Sequence, residues 1–190
     1  VVALTIDEDG MAKTAEKKLE IAKRIYNLAV GDYGLNPEDL VFDTLTFTLG
    51  SGDEEFRRAG IETIDAIREI KAALPGVGSV LGISNISFGL NPSARHVINS
   101  VFMAQAVKEG LDMAIINSAH IMPLHTISDK ERELCHQLIY DERQYDGEKV
   151  TYDPLIELMA YYDKHSASSA GKKEEALPEE VEERLKYRII

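Results

Sequence analysis

Val80-Leu81-Gly82-Ile83-Ser84-Asn85-Ile86-Ser87-Phe88-Gly89 starts apolar and then breaks into Ser, Asn and Gly. A short apolar run that ends this way has the pattern of a buried parallel strand leaving its sheet. Asn91-Pro92 follows, an N-cap residue and an N1 proline for a helix. Ser84, Asn85 and Ser87 are therefore expected at the carboxyl end of a strand, the rim where α/β folds place ligands.

The same unit recurs on either side. Val1–Ile6 reads as a first strand, followed by the polar loop Asp7-Glu8-Asp9-Gly10. Thr14 caps a helix with Leu19, Ala22, Ile25, Tyr26 and Ala29 on one face. Leu40-Val41-Phe42-Asp43 reads as a second strand, and the Thr- and Gly-rich loop 44–52 leads into a helix opened by Asp53 or Glu54 and stopped by Pro75-Gly76. Ser79–Ser84 is the third strand, with a helix from Pro92 to Gly110 behind it. Met113–Asn117 is the fourth. Such alternation predicts right-handed βα units and a parallel sheet, an α/β fold.

Beyond Asn117, His120–Ile127 reads as a loop, and Ser128-Asp129-Lys130-Glu131 matches a capping box for a helix through Ile139. Asp153-Pro154 opens another helix. Residues 164–177 are poor in apolar side chains and read as a flexible linker. Residues 178–190 begin a further helix. Four βα units make half of an eight-stranded TIM-type barrel, and a half barrel leaves two outer strands unpaired. A missing N-terminal half, a second copy, or an open doubly wound sheet would each answer that. The chain opens on a strand pattern without an initiating Met, so the missing half is preferred.

Composition limits the function. A net charge of −12 argues against non-specific nucleic-acid binding. No apolar run approaches the ~20 residues of a membrane helix, so no membrane partner is expected. The single cysteine, Cys135, sits on an apolar helix face and fits a cytoplasmic protein with a structural thiol. The five histidines lack zinc-ligand spacing, so no metal site is expected. Gly50-Ser51-Gly52 matches neither a Walker loop nor a dinucleotide fingerprint.

Three polar residues fall at strand ends: Asp43, Asn85 and Asn117. Each alone is a common cap or turn former. Together, an Asp and an Asn can read the edge of a heterocycle, one accepting and the other both donating and accepting. Arg95, in the first turn of the next helix, adds a positive charge near the same mouth.

Val41-Phe42-Asp43, Gly82–Gly89, Ala94-Arg95 with Asn99-Ser100-Val101-Phe102, and Gly110–Asn117 resemble the pterin-binding (methyltetrahydrofolate) domain of cobalamin-dependent methionine synthase. The resemblance covers about residues 1 to 145, and it implies the C-terminal half of a (β/α)8 barrel within a domain of residues 1–163. It also implies that 178–190 start the cap of a cobalamin-binding module. By it the chain is a methyltransferase part that moves the N5 methyl of 5-methyltetrahydrofolate to cobalamin. Asn85 would act at N5, Asp43 would hold the pterin, and Ser84, Arg95 and Asn117 would add substrate contacts. Cobalamin and zinc would belong to neighbouring modules. The expected partners are the N-terminal half of the barrel, or a second copy, and the cobalamin-binding module, with the isolated fragment inactive. A methyltransferase serving a corrinoid protein and a non-catalytic assembly fragment are the other readings. Dihydropteroate synthase shares the barrel, but no basic phosphate site is evident in the sequence. One departure is Thr44, where the family usually has Pro.

Overall fold

The computed structural model describes residues 1–169. Its centre is a four-stranded parallel sheet built from β1 (Val2–Leu4), β4 (Val41–Asp43), β5 (Gly78–Gly82) and β6 (Met113–Ile115), in that order. Sequential strands that neighbour one another, each followed by a helix, are the winding of a TIM-type barrel rather than of a doubly wound sheet, whose order reverses. The sheet is half of such a barrel. Between β1 and β4 come the short hairpin β2 (Ile6–Asp7) with β3 (Gly10–Met11) and then α1 (Ala15–Tyr26). The other helices are α2 (Ala59–Ala73), α3 (Pro92–Lys108), α4 (Asp129–Ile139) and α5 (Pro154–Ser169).

Helix starts follow local side-chain chemistry. Thr14 Oγ1 accepts from Lys17 N at 3.3 Å, and Asn91 Oδ1 accepts from Ser93 N at 2.9 Å with Pro92 at the first position. Ser128 and Glu131 form the capping box read from the sequence. Elsewhere the structure departs from expectation. The loop Asp7–Gly10 turns a small hairpin, Glu54–Phe56 is a single 3₁₀ turn, and α1 continues as a π-helical turn over Asn27–Asp32. A second hairpin, β7 (Gln144–Asp146) with β8 (Lys149–Tyr152), precedes α5. The segment expected as a linker from residue 164 is helical as far as Ser169. The rest of that segment and the helix expected over 178–190 lie outside the described residues.

The register divides the sheet into two faces. Ala3, Phe42 and Ser79 align across three strands, and Leu81 aligns with Ala114. Helices cover this face, where Phe42 and Leu81 are fully buried. Val2 with Val41, then Leu4, Asp43, Val80 and Met113, then Gly82 with Ile115, form the other face. On it Val2, Leu4, Met113 and Ile115 are exposed, while Val80 at its centre is buried. Parallel sheets are normally covered on both sides. In a closed barrel this face would be the packed interior.

Behind the sheet, α2, α3, α4 and α5 share one core with Leu81, Ile83, Ile98, Phe102 and Leu158. Cys135 is buried in it, and burial pushes its thiol up to about 12, the state of an inert packing residue. Leu40, Phe42 and Ala22 centre a second cluster under α1. Arg57, paired with Asp153 at 3.0 Å, ties the approach to α2 to the start of α5.

Candidate functional site

The carboxyl ends of β4 and β5 lead into loops that touch. Leu49 N donates to Ile86 O at 2.9 Å, and Thr48 Oγ1 donates to Phe88 O at 2.6 Å. A Cβ on Gly50 would stand 2.5 Å from Phe88 O, so only glycine permits this approach. The joined loops bound a cleft of about 490 Å³ on the uncovered face of the sheet, lined among others by Asp43, Gly82, Ser84, Asn85 and Ile115.

Asp43 ends β4 and turns into the cleft. Its Oδ1 accepts from Leu45 N at 2.8 Å, and Leu45 itself stands at φ +59, in the left-handed region. Leu45 O is held from behind by Thr63 Oγ1 at 3.0 Å and by Lys18 Nζ at 3.3 Å. Lys18 is fully buried, and its ammonium also donates to Thr63 Oγ1 at 3.0 Å. Burial moves the Asp43 carboxyl above its ordinary value, against the opposing pull of the Leu45 N–H and the Lys18 charge. Burial lowers Lys18 to about 8. Thr44, where the resemblance leads one to expect Pro, is buried with its Oγ1 unpartnered, so side chains rather than a proline ring hold this turn.

Asn85 sits in the 3₁₀ turn Ile83–Ser87 that follows β5. Its carboxamide lies back over Gly82, where an added Cβ would come within 3.0 Å of Nδ2. It has no hydrogen-bond partner among the described residues, so donor and acceptor are both available to a ligand. Arg95 braces this turn: Nε donates to Ser87 Oγ at 3.2 Å and Nη2 to Ser84 O at 3.3 Å. Ser87 Oγ in turn donates to Asn99 Oδ1 at 2.8 Å.

The structure thus brings together Asp43, Ser84 and Asn85 and sets Arg95 and Asn117 apart. Those two line an adjoining depression of about 390 Å³, and Ser84 borders both. Asn117 caps the 3₁₀ turn Ser118–His120, accepting from Ala119 N at 3.1 Å. Sequence reasoning missed Met11, Phe47 and Lys18. Met11 arrives on a hairpin and Lys18 from the next helix, and neither carries a motif.

The profile of the pterin binding enzyme family matches residues 1–117, which span β1 to the end of β6 and both walls of the cleft. The chain belongs to the pterin binding enzyme family. Over 194 aligned positions it is 49% identical to methionine synthase of Mycobacterium tuberculosis and 46% identical to methionine synthase of Mycobacterium leprae. Each alignment takes in 100% of this chain but 16% of the relative, so the chain spans about a sixth of their length. Membership accounts for the position of the cleft, at the carboxyl ends of parallel strands in a TIM-type arrangement. Among the described residues no helix is long and apolar enough to cross a membrane.

Proposed function

We propose that this chain supplies the folate side of a methionine-synthase-type methyltransferase: it binds 5-methyltetrahydrofolate and eases the methyl group off N5. The observation that carries the reading is the convergence of Asp43 and Asn85 on one cleft at the strand ends. Family membership and the similarity to two methionine synthases support it.

In this reading the free oxygen of Asp43 accepts from the N–H groups on the pterin edge, as a carboxylate does with a donor-rich heterocycle. Asn85 works at N5. A tertiary amine leaves poorly, so N5 must carry a proton as its bond to the methyl carbon breaks. A carboxamide has no labile proton to give; Asn85 Oδ1 accepts from protonated N5 and stabilises that state. The N5–methyl bonding electrons return to nitrogen, and a neutral secondary amine remains. The acceptor, a cobalamin held by another module, supplies the nucleophile; no residue of this chain is assigned to it. Ser84 and Arg95 shape the Asn85 turn, and Asn117 stands further along the rim.

We place activity in the assembled barrel, this chain joined by the four βα units that cover its open face. The chain itself divides into a half-barrel unit and a C-terminal segment leading toward a cobalamin module. In the assembled barrel, Asn85→Ala should slow methyl transfer by about 100-fold or more, the scale of losing one preorganised stabilising hydrogen bond, while methyltetrahydrofolate affinity measured by calorimetry changes far less. An unchanged rate would remove Asn85 from the mechanism. The uncovered sheet face favours a second reading, in which the isolated chain serves only in assembly. Micromolar folate binding by a monomer would contradict it.

A further inference from the structure

Among the described residues, Lys18 is the one lysine that the fold buries completely. Its ammonium donates to Thr63 Oγ1 at 3.0 Å and to Leu45 O at 3.3 Å, and it lies 5.9 Å from the centroid of the Phe47 ring. The charges that act on it from adjoining elements are Glu62 on α2 and Asp43 at the end of β4. Glu62 is itself engaged elsewhere, accepting from Arg58 Nε at 3.2 Å and Ala15 N at 2.7 Å. An ammonium taken out of water with no carboxylate against it is costly, and an apolar side chain of similar length would fill the same space at less cost. A charge kept at such a place points to a task.

What the ammonium reaches belongs to the cleft. Leu45 and Phe47 line it together with Asp43. Leu45 stands at φ +59, a conformation that residues with a side chain rarely adopt. Both of its backbone groups are in use: N donates to Asp43 Oδ1 at 2.8 Å, and O accepts from Lys18 and Thr63. Strain of this kind persists where neighbours fix it, and it gathers at ligand sites.

We propose that Lys18 is a positioning residue for ligand capture: with Thr63 it clamps Leu45 in the left-handed turn, so that the Leu45 N–H aims the Asp43 carboxylate, and its charge holds that carboxylate anionic. This rests on the folate reading above, in which Asp43 accepts from the pterin edge. Lys18 acts through Asp43 and touches no ligand, since its side chain is wholly buried behind the lining. Burial pushes the Asp43 carboxyl up, while the Leu45 N–H and the Lys18 charge oppose that push. Without the cation Asp43 takes up its proton at a higher pH, and the acceptor is lost sooner on acidification.

The test is a double-mutant cycle in the assembled barrel. Methyltetrahydrofolate affinity is measured by calorimetry across pH in the wild type, Lys18→Met, Asp43→Asn and the double variant. At pH 7 Lys18→Met should bind about tenfold more weakly, the scale of one charge-assisted hydrogen bond. Its urea midpoint should be no lower than that of the wild type, so loss of the fold does not explain the weaker binding. On acidification its affinity should fail about one pH unit above the wild-type value. In the Asp43→Asn background the same substitution should change affinity little, because the carboxylate through which Lys18 acts is gone. The wild type offers a check that no substitution can unfold. Its affinity should drop between pH 7 and 9 as Lys18, brought down to about 8 by burial, gives up its proton, and Asp43→Asn should show no such drop. Unchanged affinity and acid limb in Lys18→Met, or an equal loss in both backgrounds, would overturn the proposal and leave the pterin reading standing. So would a flat wild-type profile from pH 7 to 9. Unchanged affinity in Asp43→Asn would overturn the pterin reading and this assignment with it.

Discussion

Lys18 is an ammonium with no carboxylate within ion-pairing distance among the described residues, buried against Thr63 Oγ1 and Leu45 O. Its pKa falls from 10.5 to about 8, because burial opposes charge more than Glu62 and Asp43 favour it. The unfolded chain therefore holds this proton more tightly. Below pH 8 both states are protonated and the full cost is present. Between pH 8 and 10.5 the folded state sheds the proton first, and the cost is relieved as pH rises, by about 3 kcal/mol in all. Lys18→Met in the assembled barrel should raise the urea midpoint at pH 7.5, and its advantage over wild type should shrink toward pH 10. Leu45 O would keep the Thr63 hydroxyl as a partner. Parallel stability curves would mean that the ammonium is not desolvated in the way its burial indicates. Asp43 would also lose the cation that opposes its burial, so stability gained here is set against the carboxylate's readiness to accept a ligand.

At the scale of elements, the loops after β4 and β5 act as one lip, because Leu49 and Thr48 bond to the backbone of Ile86 and Phe88. Gly50→Ala places a methyl group against Phe88 O and should cost about 1–3 kcal/mol, with a matching loss of pterin affinity as the loops part. Gly31→Ala, where nothing lies within 4 Å, is the control and should be close to neutral. Equal effects in denaturant titrations would show that the loops are not in contact.

Elements set by neighbours in sequence were legible: the Thr14, Asn91 and Ser128 caps, the strand that breaks at Ser84, and the order of βα units. The β7–β8 hairpin has its sequence signal in Asp146-Gly147, with Gly147 at φ +61. The pairing of Asp43 with Asn85 followed from strand ends in register. What separated Arg95 and Asn117 from them did not, because it depends on how the Ile83–Ser87 turn stacks on α3. Lys18 reaches the site from another element, and a lone lysine in an amphipathic helix reads as a surface charge.

For the molecule as a whole, the determining feature is a sheet that is apolar on both faces and covered on one. Ile115 at 66% and Val2 at 58% exposed are residues of a barrel interior standing in water. The chain alone should self-associate at micromolar concentration. Replacing Leu4 and Met113, which align in one layer of that face, by Lys should leave a monomer in sedimentation with unchanged far-UV dichroism. A wild-type chain that stays monomeric at high concentration would argue that the face is satisfied some other way.

The bare strand layer also bears on the life of the polypeptide in a cell. A copy that finds no complement displays a greasy, hydrogen-bond-hungry surface, the kind that chaperones hold and proteases clear. Whatever covers that layer thus governs how long the polypeptide lasts as well as how it folds.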